Sequence, residues 1–177
     1  MDRIFAGIRA TDIGLAVVLS GLGVYLMLEN MNGSTDDVRV DSTSWLMIPV
    51  FLIATAAVLW RRRSVLTVTL VAGAAMAAHV AAFGWDVRCG VGLPLALVLA
   101  YSAGRFVTDR VQSALTMALT IGVQVLVLVR DSAAGLDILP ISAALGVIAW
   151  GIGWFVQSRT NTGVARADDR VPVASHR

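Results

Sequence analysis

The chain has no lysine, one glutamate (Glu29), one cysteine (Cys89), two histidines (His79 and His176) and four prolines in 177 residues. A single cysteine excludes an internal disulfide and any cysteine-rich metal site, and two distant histidines outside any ligand cluster exclude structural zinc and haem signatures. Charged residues make up 15% of the chain, against about 25% in soluble domains. The net charge is only +2, too small for a nucleic-acid partner. There is no phosphate loop, nucleophile elbow, HExxH sequence or cluster of intramembrane carboxylates, so neither an enzyme nor a bound cofactor or metal is expected. The two halves also lack matching Gly/Pro-broken helices, the usual pointer to a transporter site.

What is present is apolar. Ala, Val, Ile, Leu, Met, Phe, Trp, Tyr and Cys are 57% of the residues, before 16 glycines are added; soluble domains reach about 45–50% with glycine included. So much apolar surface cannot be hidden inside 18.7 kDa, which excludes a soluble globular domain and a disordered chain and leaves the lipid bilayer as the solvent.

A spanning helix needs about 20 apolar residues, and six segments qualify: about 12–28, 44–60, 65–83, 91–107, 111–129 and 138–156. The fold class expected is therefore all-α, a polytopic membrane protein with six transmembrane helices in one bundle over residues 1–158, followed by a short polar tail, 159–177. Pro94 falls near the start of the fourth span, where a missing N–H costs least. The first span has no small-x-small cleavage site after it, at Glu29-Asn30-Met31-Asn32, and is read as an anchor. With the N-terminus inside, 11 of the 14 arginines face the cytoplasm, and Arg39, Arg88 and Arg130 face out. Both termini are then cytoplasmic, in the inner or plasma membrane.

Polar residues inside the spans are the candidates for function. Gln112, Thr116, Thr120 and Gln124 repeat every four positions on the fifth span; interhelical hydrogen bonding is the plainer reading, a ligand-lining face the sharper one. His79 is the one titratable group deep in a span, at a height that makes Gln124 a neighbour, and it is read either as a packing residue or as a sensing group. Phe83 to Gly90 gathers aromatics with Asp86, Arg88 and Cys89, read as an interfacial turn with an exposed ion pair. Asp12 reads as a helix N-terminal acid. Small residues form stripes on the third span (Gly73, Ala77, Ala81, beside Ala74, Ala78, Ala82) and on the sixth (Ser142, Gly146, Ala149, Gly153), suited to packing within the bundle or to a homodimer.

The stretch Trp60 to Arg110 resembles the N-terminal membrane domain of bacterial sensor histidine kinases of the class paired with LuxR/NarL-type regulators. The arginine step Arg61 to Ser64, His79 late in an alanine-rich helix, and LPLALVLAYSAGR (Leu93 to Arg105) occupy that family's places. Val147 to Arg170 is similar to its lead-out toward the dimerisation helices. The family continues into a phosphoacceptor histidine followed by an acid and an ATP-binding domain, whereas His176 is followed by arginine at the end of the sequence. The resemblance thus implies a sensor-type or accessory membrane module in signal transduction without a kinase core, with a sensor kinase or a second copy as partner. A small transporter, permease component or membrane-complex subunit is the alternative, and a remnant of a truncated kinase gene a third reading.

Overall fold

The computed structural model describes residues 7–32 and 39–168, with side chains described as far as residue 160. Among the described residues six helices follow one another: α1 (Ala10–Asn32), α2 (Met47–Ala56), α3 (Val65–Phe83), α4 (Cys89–Phe106), α5 (Arg110–Leu128) and α6 (Leu139–Asp168). One 3-10 turn, Ala57–Trp60, extends α2 and another, Leu136–Ile138, leads into α6. Among the described residues there is no strand. Five of the helices are long and apolar enough to cross a membrane, while the sixth apolar segment, Met47–Trp60, is shorter. At 1.5 Å per residue in the α part and 2.0 Å in the 3-10 part it rises about 23 Å, short of the roughly 30 Å hydrocarbon core.

Boundaries follow local chemistry. Ser64 starts α3 by accepting a hydrogen bond from the Thr67 N–H at 3.2 Å, and Asp109 starts α5 by accepting one from Gln112 N–H at 2.7 Å. Asp12 accepts from the Arg9 N–H at 3.1 Å, closing the first turn of α1 as expected of an N-terminal acid. Gly84 ends α3 at φ +73°, a conformation that L side chains rarely adopt. Two expectations need correction. Because α4 begins at Cys89, Pro94 lies six residues inside it, where its ring removes one backbone bond without ending the helix. The last helix runs past the expected end of its span at 156 to Asp168, since no proline follows Pro140 before Pro172; the rest of the polar tail, with His176, lies outside the described residues.

The bundle is sorted in the sense a bilayer demands. On α1 the buried positions are Asp12, Ala16, Leu19, Gly23, Met27 and Asn30, a single stripe of mostly small or polar residues. Ile13, Val17, Val18, Leu22 and Tyr25 point outward, as do Ile141, Leu145, Ile148, Ile152 and Phe155 on α6. Large apolar side chains can face lipid at no cost, so small and polar ones share the helix contacts with a buried core that includes Met27, Met47, Phe51, Met76, Leu95 and Leu99. Ser20 and Thr55, for instance, share a 2.9 Å hydrogen bond between α1 and α2.

The small-residue stripe of α6 is turned into the bundle. Gly153 crosses α4 at Gly104 so closely that a Cβ on Gly104 would run into the Trp150 carbonyl oxygen and stand 2.8 Å from the Trp154 nitrogen. Gly146 sits against Gln124 and Met117. On α3, by contrast, Ala74, Ala78, Ala81 and Ala82 are exposed. The α4–α6 crossing involves backbone, which has no rotamer to yield. Gly104→Ala should therefore cost about 1–3 kcal/mol, whereas Gly14→Ala, which meets open space, should leave stability unchanged or slightly raised; thermal unfolding in detergent compares them directly.

Candidate functional site

The connections at the two ends of the bundle differ in kind. At one end lie Arg9, Arg61, Arg62, Arg63, Arg105, Arg110 and Arg159; at the other lie Arg39, Arg88 and Arg130. At the arginine-rich end the carboxylate of Asp12 is buried between two guanidiniums, with Arg61 Nη2 at 2.8 Å and Arg62 Nε at 2.6 Å. The Phe106 ring carries the same pair, with the Arg62 guanidinium 4.7 Å and that of Arg61 5.8 Å from its centroid. This ties α1 and the α2–α3 turn to the end of α4.

The opposite end holds the most unusual chemistry. Three connections interlock there: residues 39–46, 84–88 and 129–135. Asp41 N–H donates to the Trp85 carbonyl at 2.8 Å and its carboxylate takes the Trp85 N–H at 3.1 Å. The Arg39 guanidinium beside Asp41 holds its carboxyl below the usual range, helped by the Trp85 N–H. The side chain of Asn30 reads both backbone groups of Val87. Asp86 and Asp131 pair backbone to backbone, and the Asp131 carboxylate accepts four N–H groups: Arg88 and Cys89 at 2.6 Å each, Ala133 at 3.0 Å and Ala134 at 2.9 Å. One acid from across the bundle thus caps α4, whose own sequence supplies no capping side chain.

Beneath this cover lie His79, Asp86 and Arg88, all fully buried, with Arg88 among the largest side chains so enclosed. Arg88 donates from Nη1 to the Arg130 carbonyl at 2.8 Å, from Nη2 to the Gly84 carbonyl, and from Nε to His79 Nδ1 at 3.1 Å. Asp86 Oδ1 is 2.7 Å from the same Nε, and Asp86 Oδ2 is 3.5 Å from His79 Nδ1. Because Nε carries one hydrogen and it is aimed at His79, Asp86 Oδ1 is in ionic contact with the guanidinium, yet neither Asp86 oxygen has a hydrogen bond of good geometry. An acceptor at Nδ1 makes His79 the Nε2–H tautomer. Its Nε2 has no well-formed partner, though the Met47 backbone faces the ring. Phe83 and Phe51 stand edge-on to the imidazole, with centroids at 4.8 and 5.7 Å.

The ion pair expected to be an exposed interfacial one is therefore buried, because the 129–135 turn and residues 39–46 fold over it. His79 and Gln124 have separate partners: Gln124 Nε2 donates to the Ser142 carbonyl at 3.1 Å, joining α5 to α6. Thr116 and Thr120 return their hydroxyls to the Gln112 and Thr116 carbonyls of their own helix, and Gln112 is exposed. Sequence reasoning passed over Asp131, Asn30 and Ser113. Ser113 accepts from the Trp150 indole at 2.9 Å and donates to the Ala103 carbonyl at 3.0 Å, linking three helices. The signal for Asp131 was an acid directly after Arg130 at a span end, which resembles any polar turn. Arg88 occupies the centre where His79, Asp86 and Asp131 converge, and among the described residues no three His, Cys, Asp or Glu side chains are placed to hold a metal ion.

No protein-family model, curated protein or solved structure matches the chain.

Burial pushes Asp86 from its ordinary 3.8 up to about 7, against the pull of Arg88 and with a further push from Asp131. A carboxyl whose folded pKa is raised stabilises the fold most at low pH. That contribution is lost progressively as pH rises from about 3.8 to about 7, because the unfolded chain gives up its proton first. The unfolding midpoint in detergent should accordingly fall between about pH 5 and pH 7, and Asp86→Asn should flatten that dependence; an equal fall in the variant would assign it to another group. Arg88→Leu strands two carbonyls and a buried carboxylate and should cost about 3–5 kcal/mol at neutral pH, read from the same melts.

Proposed function

We propose that this chain is a multi-pass protein of the bacterial inner membrane that serves as a sensor-type input or accessory module in signal transduction, with His79, Asp86 and Arg88 as its proton-responsive element. The observation that carries the reading is one N–H with two acceptors in a closed site: Arg88 Nε lies 3.1 Å from His79 Nδ1 and 2.7 Å from Asp86 Oδ1. With His79 neutral, the hydrogen goes to its Nδ1. A proton on Asp86 removes the charge facing Arg88 Nε and makes the carboxyl itself a donor, whereas the ionised carboxylate competes with His79 for the Arg88 N–H. Asp131 and Arg88 are the fixed charges facing Asp86, with Arg130 outside.

The route outward runs through α4. The cluster and Asp131 anchor its first residues, its far end is locked to α6 at Gly104 and Gly153, and α6 runs on to Asp168. Thirty residues of helix span about 45 Å, more than a bilayer core of about 30 Å. In this reading all six helices cross, the arginine-rich end faces the cytoplasm, and the projecting part of α6 meets a sensor kinase or a second copy of the chain. The likeness to kinase membrane domains supports that choice. Transport has less behind it, since Thr116, Thr120 and Gln124 spend their polar atoms on backbone within the bundle.

Spin labels at Gln112→Cys and Thr160→Cys, in a Cys89→Ser background in nanodiscs, report whether α6 moves against α5. The distance distribution should differ between about pH 5 and pH 8 and become pH-independent in Asp86→Asn. One distribution at both pH values in the otherwise native chain would refute the proton-responsive reading.

A further inference from the structure

At the arginine-rich end α5 and α6 part. The Gly104–Gly153 crossing draws α6 onto α4, while α6 is held to α5 by Gln124 and Ser142 near the other end and by the Trp150 indole on Ser113 at the inner edge of the gap. The gap is a cavity of about 700 Å3 between the start of α5 and the α6 stretch from Trp150 to Ser158, within the range of about 300–1,000 Å3 usual for ligand pockets.

Its walls are graded. The floor is the hydrogen bond from the Trp150 indole to Ser113, with Ala114 beside it. Trp154, 57% exposed, forms the wall toward lipid. The mouth is polar, with Arg110, Thr108 and Gln157 around it. Arg110 enters no ion pair among the described residues. The acid next to it, Asp109, has its carboxylate on the Gln112 N–H as the α5 cap. A guanidinium with no ion pair among the described residues, above a tryptophan-lined apolar cleft and at the depth where tryptophan favours the interface, is complementary to a ligand with a phosphate at one end and ester-linked hydrocarbon at the other.

We propose that this cleft binds the headgroup of an anionic glycerophospholipid, with the phosphate on Arg110 and the glycerol and upper acyl segment between Trp150 and Trp154. The inference takes from the preceding reading only that this end of the bundle meets a lipid–water boundary. It holds in either orientation and without any signalling role.

The test uses the full chain in nanodiscs with Trp45, Trp60 and Trp85 replaced by Phe, which leaves Trp150 and Trp154 as reporters. Phosphatidylglycerol brominated near the ester end of its acyl chains should quench them about fivefold more effectively than equally brominated phosphatidylcholine. Arg110→Gln should abolish the preference, Arg110→Lys should keep most of it, and Arg159→Gln, which alters the same end outside the cleft, should leave it intact. Should Arg110→Gln fail to fold, Ala114→Phe fills the cleft without touching the charge and should also remove the preference. Equal quenching by the two lipids in the native chain overturns the proposal. So does an equal loss in Arg159→Gln, which would mean surface charge alone, and so does abolition of the preference by soluble glycerol phosphate, which would make the ligand a free phosphate. None of these outcomes bears on the pH response of Asp86, so the two readings fail separately.

Discussion

Arg88 closes one end of the bundle by satisfying groups that no other side chain could reach together. Its planar guanidinium spans the last carbonyl after α3, the carbonyl of Arg130 after α5, and the imidazole and carboxylate between them. In a low-dielectric site an unpaired polar group is costly, so every one of these partners depends on the arginine staying in place. Asp131 complements it from the other side, using a single carboxylate to cap α4 and to close its own turn. The end of the bundle is thus held by a few charge-assisted bonds set on the apolar cluster that includes Phe51 and Phe83.

The remaining contacts follow from the absence of a hydrophobic drive between helices in lipid. Close backbone approach at Gly104 and Gly153, and hydroxyl and amide bonds such as Ser20–Thr55, Ser113–Trp150 and Gln124–Ser142, join neighbouring helices. At the arginine-rich end Asp12 does for α1 and the Arg61–Arg62 turn what Asp131 does opposite. One carboxylate there serves two cations stacked on Phe106, so positive charge remains in excess. The bundle is therefore tight where α4 meets α6 and open where α5 and α6 diverge, and both come from the same two glycines.

Much of the helical layout was legible. The apolar runs and their arginine steps marked the helices, and α3 falls on the expected 65–83. The misplaced boundaries were those at which a distant residue intervenes: α4 starts two residues earlier than its apolar run because Asp131, 42 positions downstream of Cys89, caps it. His79 was singled out apart from Asp86 and Arg88, which were read as an exposed ion pair. Their convergence depends on a connection of only five residues, 84–88, folding beneath the 129–135 turn, and no spacing along the chain encodes that cover. The Gln112 to Gln124 stripe was visible as a period of four, whereas the choice of its own helix backbone as partner for Thr116 and Thr120 was not.

Composition by itself determined that this chain forms helices long and apolar enough to cross a bilayer, because hydropathy and helix length are properties of a segment alone. Which polar residues are buried together was decided only by the tertiary structure. A carboxylate such as Asp86 or Asp131 acquires its role from groups brought close by other segments, and the free energy of a buried charge depends on those neighbours far more than on its own stretch of chain.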